Sequence, residues 1–280
     1  MFPSNCRICD EPLTRISRLP VCQQCLDGIH PLRGRLCSIC GERVLSSLAI
    51  SASLSPASSS PGTGEDETFQ CPLCRRAAPA FAKAVAYGSY EGGLREMIHL
   101  LKYAGVFPAA KVLGRVLAEA MTALEPVLGD DTIIVIPVPL HKSKRRQRGF
   151  NQAELIARAA LKFCAAGRFH LADNVLLRKR DTDSQIGMTS HQRRENMRGA
   201  FAISSAGEVN GREVLLVDDV LTTGATAAEC ARVLLRAGAS RVWVATVART
   251  MKLASNEDDR FQSFRVSEFQ GAEQLASQGP

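Results

Sequence analysis

The residues best equipped for chemistry are eight cysteines in four Cys-x-x-Cys pairs: Cys6/Cys9, Cys22/Cys25, Cys37/Cys40 and Cys71/Cys74. Two thiolates on one tight knuckle, met by two from another, close a tetrahedral four-sulfur site suited to zinc. The first two pairs are separated by 12 residues, which is zinc-ribbon spacing. The last two, 30 residues apart, supply a second site. Two structural Zn2+ ions are therefore expected. Sequential pairing is simplest, and interleaved pairing is the alternative. A redox motif would be a single pair near a βαβ pattern, which four pairs in a segment poor in apolar periodicity do not resemble. A disulfide scaffold is disfavoured too. Cys6, Arg7, Asp10 and Glu11 interrupt any apolar leader, so the chain is expected in the cytoplasm, where thiols stay reduced. No apolar run approaches the ~20 residues of a bilayer span, so no membrane insertion is expected. Cys164 and Cys230 lie in apolar helical patterns and read as small buried hydrophobes.

The second constellation is VLLVDDVLTTGATAAE, residues 214–229. A buried-type strand ends in Asp218 and Asp219, and a short loop then opens a helix. In open α/β sheets, ligands bind outside the carboxyl ends of the strands. Backbone N–H groups at a helix start carry partial positive charge, and Thr222, Thr223 and Thr226 add hydroxyl donors. Ala225 begins the helix, and Gly224 lets the backbone approach a ligand. This suits a terminal phosphate monoester. Carboxylates repel phosphate but accept hydrogen bonds from vicinal ribose hydroxyls, or hold a bridging Mg2+. The loop lacks the lysine and the glycine spacing of a P-loop. A third feature is the run HKSKRRQRGFNQ, residues 141–152, with five Lys/Arg and no acid. Such a run is most often a solvated face, but it can meet phosphates.

These groups must be held by a scaffold, and 280 residues suffice for one good-sized domain and a small one. Residues 1–76 form the cysteine head. It is interrupted at 45–68 by a Ser-, Pro- and Gly-rich insert that reads as a flexible loop. The head holds eight Lys/Arg against seven Asp/Glu. Each four-thiolate zinc centre adds about −2, so the head is not a strongly basic module despite a net charge of +7 for the whole chain. Over residues 80–250, apolar strands at 82–90, 132–140, 174–180, 200–204, 212–220 and 241–248 alternate with helices at 92–105, 107–127, 151–167 and 225–238. This argues for an α/β fold built on a parallel sheet flanked by helices. Residues 251–280 are polar and read as a frayed tail.

In these features the sequence resembles the type I phosphoribosyltransferases, which bind 5-phosphoribosyl 1-diphosphate (PRPP). More widely it resembles the ComF family, also labelled GntX-like, linked to competence, DNA uptake and DNA utilisation. The resemblance is carried by Lys102-Tyr103, Pro137-Val138-Pro139-Leu140, Arg148-Gly149-Phe150-Asn151-Gln152, Arg178 with Thr182 and Gln185, Arg193 with Asn196, Leu216 through Thr226, and the eight cysteines. It implies a phosphoribosyltransferase-like domain behind a double zinc ribbon. Asp218 and Asp219 would hold the ribose hydroxyls of PRPP, and Thr222, Thr223, Gly224, Ala225 and Thr226 its 5′-phosphate. Arg148 would serve the diphosphate, ahead of Lys144, Arg145 and Arg146. Residues 178–198 would form a closing loop offering Arg178, Gln185 and Arg193, and Mg2+ would accompany PRPP.

In purine-salvage relatives an acid three positions after the Asp pair acts as general base, and here that position is Thr222. Purine salvage is disfavoured, and no other residue names an acceptor or a catalytic group. Two functions are thus open: a phosphoribosyltransferase of unspecified acceptor, and a non-catalytic PRPP- or single-stranded-DNA-binding accessory of DNA uptake or processing, the expected partners being PRPP and either single-stranded DNA or DNA-uptake proteins. Aromatics at 5% of residues weaken a stacking platform for single strands.

Overall fold

The structure is a computed structural model, and it describes residues 5–14, 17–44, 69–181 and 189–251. The insert at 45–68, Thr182, Gln185 and the tail beyond Met251 lie outside the described residues. Two short helices follow cysteines in the head, α1 (Gln23–Asp27) and α2 (Pro72–Arg76). The body then runs β1 (Lys83–Ser89), α3 (Gly92–Lys102), α4 (Ala109–Thr122), β2 (Ile133–Pro137), α5 (Lys142–Arg148), α6 (Gln152–Ala160) and β3 (Phe169–Leu171). It continues with β4 (Leu176–Arg178), α7 (Ser190–Met197), β5 (Phe201–Ile203), β6 (Glu213–Leu221), α8 (Ala225–Arg236) and β7 (Arg241–Arg249).

Five strands form one sheet in the order β1-β7-β6-β2-β3, and every pairing in it is parallel. Strands buried on both faces carry near-continuous apolar runs, as Ile133 to Pro137 does. On one face Leu94, Ile98, Leu117 and Ile156 of α3, α4 and α6 pack against Val135, Leu215 and Trp243. On the other, Cys230 and Leu234 of α8 pack against Ile136, Leu216 and Val244. Each such aliphatic side chain, fully buried, contributes about 1.5–3 kcal/mol of transfer free energy. A Cβ on Gly114 would lie 2.5 Å from that of Ala159, so the glycine is what lets α4 and α6 touch. β4 and β5 stand apart as an antiparallel pair, with Leu177 opposite Ala202.

The head is knitted to the sheet. The free side of β1 would expose unpaired backbone groups. Instead Leu32 N–H donates to the Tyr87 carbonyl at 2.6 Å, and Ala84 N–H to the Ile39 carbonyl at 2.7 Å.

Several elements differ from the sequence reading. The basic run is a helix, α5, capped by His141 and ended by Gly149 at φ +83°. Residues 189–197 begin with a capping box, in which Thr189 accepts from Gln192 N–H and Gln192 accepts from Thr189 N–H, and continue as α7. The helix expected over 151–167 stops at Ala160, and residues 161–163 tighten into a 3-10 turn. The short strand β3 then pairs with β2.

Candidate ligand site and zinc centres

The cysteine head contains the same unit twice. Cys6 N–H donates to the Glu11 carbonyl at 2.8 Å, and Cys37 N–H to the Glu42 carbonyl at 2.7 Å. The knuckle turns through a left-handed residue at Asp10 (φ +61°) in one unit and at Gly41 (φ +69°) in the other. Cys22 N–H then reaches Cys6 Sγ at 3.3 Å and opens α1, just as Cys71 N–H reaches Cys37 Sγ at 3.3 Å and opens α2. The sulfurs of Cys6, Cys9, Cys22 and Cys25 lie within 4.8 Å of one another, as do those of Cys37, Cys40, Cys71 and Cys74. Pairing is therefore sequential. A tetrahedron with Zn–S of ~2.3 Å has edges of about 3.8 Å. The Cys9–Cys22 and Cys40–Cys71 separations are 3.6 and 3.7 Å.

The electrostatics fit a cation at both centres. Burial opposes ionisation of Cys6, but N–H groups of Cys22, Cys9 and Ile8 outweigh it and bring the thiol down to about 6. Cys37, likewise buried, is brought to about 7 by the N–H groups of Cys40, Cys71 and Ile39. Burial and the neighbouring sulfurs push Cys25 and Cys74 up. Four thiols that cannot all ionise together become four thiolates when a divalent ion sits among them.

The second site gathers where β6 ends. Asp218 and Asp219 are adjacent, yet they face different surroundings. Asp219 is buried, pairs with the Lys102 ammonium at the end of α3, and accepts from Gln152 Nε2 at 3.5 Å. Burial disfavours its charge, but Lys102 more than compensates and holds it below the usual carboxylate range. Asp218 is pushed well above that range by burial and then by the charge of Asp219. Its Oδ1 accepts from Asp219 N–H at 2.8 Å. Arg178, half-buried at the end of β4, has its basicity lowered by burial and partly restored by Asp218.

Arg148 belongs to the same group. Its Nη1 donates to Gln152 Oε1 at 2.5 Å, and its guanidinium lies 5.6 Å from the Tyr103 ring centre. Asn151 fixes the turn between α5 and α6: its Nδ2 donates to the Val138 carbonyl at 3.1 Å, and its Oδ1 caps α6. Lys144, Arg145 and Arg146 are exposed. After β6, Thr222 to Ala225 lead into α8, and Gly224 at φ +77° takes a conformation that L side chains rarely adopt. Ala225 N–H donates to Thr223 Oγ1 at 3.4 Å, and Thr226 lies in the first turn of the helix.

A cavity of about 540 Å³ opens beside this loop. Thr222, Thr223, Gly224 and Ala225 form one wall, and Cys40, Glu42, Cys71 and Cys74 of the second ribbon another. Arg193 sits half-buried on α7, whereas its neighbours Arg194 and Arg198 line the cavity. Sequence reasoning missed the pairing of Lys102 with Asp219, the bridge through Gln152, and Arg249, which lines the cavity. Lys102 and Gln152 stood within recognised motifs. Arg249, at the end of an apolar strand, had no such signal beyond its charge.

Comparison with known proteins matches this arrangement. Residues 1–55 match the model of a double zinc ribbon domain, and residues 154–278 that of a phosphoribosyl transferase domain. The molecule is thus a double-zinc-ribbon protein with a phosphoribosyltransferase-type α/β domain. It is 31% identical over 222 residues to DNA utilization protein YhgH of Escherichia coli O157:H7, covering 77% of this chain and 91% of the relative. It is 29% identical over 234 residues to competence protein F of Haemophilus influenzae, covering 81% and 96%. Competence protein ComFC of Bacillus subtilis shares 22% over 218 residues, covering 78% and 79%. The chain belongs to the ComF family. No helix of the described residues is long and apolar enough to cross a membrane.

Proposed function

We propose that the protein binds PRPP with Mg2+ at the carboxyl end of β6 and serves DNA uptake or utilisation, as the names of its relatives suggest. The observation that carries this reading is the hydrogen-bonded chain from Arg148 through Gln152 to Asp219 near the end of β6, the strand from which Gly224 then opens α8. Asp218 and Asp219 would receive the ribose hydroxyls. The N–H groups and hydroxyls of Thr222 to Thr226 would receive the 5′-phosphate. Arg148 and Arg178 would face the diphosphate, and Gln185 and Arg193 are proposed for the closing segment. Mg2+, when bound with PRPP, would neutralise the diphosphate and assist its departure. Lys102 holds Asp219 ionised and positioned until ligand arrives. The thiolates of both zinc centres suit a reducing cytoplasm.

Thr222 in place of the acid used by purine-salvage relatives argues for a different acceptor, or for binding without transfer. The second alternative is supported by α5, whose exposed Lys142, Lys144, Arg145 and Arg146 offer a phosphate-facing stripe. Calorimetric titration with PRPP and Mg2+ tests the reading. Saturable binding that is lost when both Asp218 and Asp219 become Asn supports it, and absence of binding overturns it. Diphosphate release across an acceptor panel separates transfer from binding. Titration with single-stranded DNA at several salt concentrations tests the stripe.

A further inference from the structure

The two zinc units are built alike, but among the described residues it is the second that shares a cavity with the β6–α8 loop, and one buried guanidinium ties it to the strand end from which that loop departs. Arg249 ends β7 with its side chain 4% exposed. Its Nη2 donates to Glu42 Oε2 at 2.9 Å and approaches Cys40 Sγ at 3.7 Å. Its backbone is registered opposite Leu221, the last residue of β6, and Thr250 N–H donates to the Leu221 carbonyl at 3.1 Å. One residue therefore joins a metal-ligating thiol to the strand end from which the ligand loop departs.

We propose that Arg249 is a positioning residue that couples the second zinc centre to the β6–α8 loop. Zinc held by Cys37, Cys40, Cys71 and Cys74 and a phosphate ligand held at Thr222–Thr226 then stabilise each other. The identity of that ligand rests on the PRPP reading. The coupling rests on the geometry.

The chemistry explains why an arginine stands at the end of an otherwise apolar strand. A buried guanidinium is costly unless its charge is matched. Glu42 supplies one negative charge, and a four-thiolate zinc centre, net about −2, supplies more through Cys40. Guanidinium also offers five donors in a fixed fork, so it can hold carboxylate and thiolate in one plane. Its Nε and Nη1 make no hydrogen bond among the described residues, so the grip falls on the nitrogen facing the ribbon. With zinc bound, the ribbon is a rigid anionic wall, and Arg249 and the end of β6 are drawn to it. Without zinc, the four sulfurs lose the ion that ties them together, and the wall loosens. Linkage requires the reverse as well: a ligand that orders the loop must hold the zinc more tightly. In the first unit the residue equivalent to Glu42 is Glu11, which is exposed.

The test uses the full chain loaded with two zinc ions, whose transfer to a chromogenic chelator is followed in time. Saturating PRPP with Mg2+ is expected to slow one of the two releases at least about fivefold and to leave the other unchanged. Glu42→Gln and Arg249→Lys are expected to abolish this protection, and Glu11→Gln to keep it. Equal release of both ions with and without PRPP, while calorimetry shows PRPP bound, overturns the proposal, and so does full protection in Glu42→Gln. If PRPP does not bind at all, the PRPP reading fails, and the coupling is then decided by hydrogen exchange. Cys74→Ser is expected to speed exchange at residues 218–226 at least about fivefold while β2 is unaffected. Unchanged exchange at 218–226 overturns the coupling.

Discussion

The two zinc units differ in what they touch rather than in how they are made. Both fold a knuckle, a left-handed turn and a cysteine-capped helix in the same order. The first rests on the α3 face: Cys6, Val21 and Ile29 join its core cluster, and the carbonyl of Cys25 lies against Gly93 at the start of α3. The end of that helix carries Lys102, nine residues further on, which at 1.5 Å per residue is about 14 Å away. The second unit faces Thr222 to Ala225 across the cavity, whose lining Arg249 also joins. A repeated metal motif has thus been used once as a remote brace and once as part of the wall that faces the β6–α8 loop. The contrast also shows that the head is structurally continuous with the sheet, since it covers the outer edge of β1.

Removing one zinc at a time is the strongest way to break this comparison. Structural zinc contributes about 10–16 kcal/mol to the folding of small ribbon peptides, so either unit should collapse locally without its ion. Cys25→Ser and Cys74→Ser should each lower the zinc content from two ions to one by mass spectrometry of the metal. Their effects on PRPP should diverge. Cys74→Ser should weaken binding by at least about tenfold, and Cys25→Ser by less than about threefold. Equal losses would mean that both units brace the site equally.

The next largest effect is on the side that the first unit braces. Lys102→Met removes the counter-ion of buried Asp219, and breaking such a pair typically costs about 3–5 kcal/mol. In a domain of this size that lowers Tm by about 10 °C. The sign of the pH dependence follows from both partners. Despite its burial, Asp219 is held low by Lys102, so its contribution is present above the unfolded value of ~3.9 and is lost as pH falls through the folded one. Lys102 is opposed by burial but raised by Asp219, so its contribution is present below ~10.4 and is lost as pH rises through its folded value. Thermal melts from pH 2 to 11 should show the wild-type advantage only between these limits. A Tm within 2 °C of wild type at neutral pH, on the order of 1 kcal/mol or less, would show the pair to be dispensable.

Ligand contacts should divide along the same line. Asp219→Asn removes a charged acceptor beside Lys102 and should weaken PRPP by about tenfold to a hundredfold, since hydrogen bonds to charged groups are worth about 1.5–3 kcal/mol. Thr223→Ala removes a neutral hydroxyl on the loop facing the second unit and should cost about two- to tenfold. Calorimetry that ranks the two in reverse would place the dominant contact on the phosphate side.

How much of this was legible in the sequence depended on whether the signal was local. The cysteine pairs and the stretch from Asp218 to Thr226 carry their chemistry in spacing, so the zinc ligands and the loop were readable. The parallel sheet was readable from apolar runs such as Ile133 to Pro137. The basic helix α5 was not, because Lys142 to Arg148 has no apolar periodicity. It forms from good helix formers between a His141 cap and Gly149. The start of α7 was marked by Thr189-x-x-Gln192, a capping box that could have been recognised. The pairing of Arg249 with Glu42 had no local signal, since only folding brings together residues so far apart in the chain.

The smallest expected effect separates two neighbouring residues. Asp219 looks toward α3 and Lys102, while Asp218 interacts with Arg178 and, after burial, helps to keep the Cys230 thiol on α8 from ionising. Burial and the charge of Asp219 push the Asp218 carboxyl well above its usual range. A raised folded value means no penalty below the unfolded value of ~3.9, a penalty that grows as pH rises from there to the folded one, and a constant penalty above it. Asp218→Asn removes the charge, and the amide oxygen can still accept from Asp219 N–H. The variant should therefore melt about 2–4 °C higher than wild type at pH 8, on the order of 1 kcal/mol, and no higher at pH 3.5. It should bind PRPP more weakly, as expected where a site retains strained charge for its ligand. A variant that melts no higher at pH 8 would show that Asp218 is stabilised in the free protein as well as Asp219 is. The distinction between the two sides of the site would then not extend to these two acids.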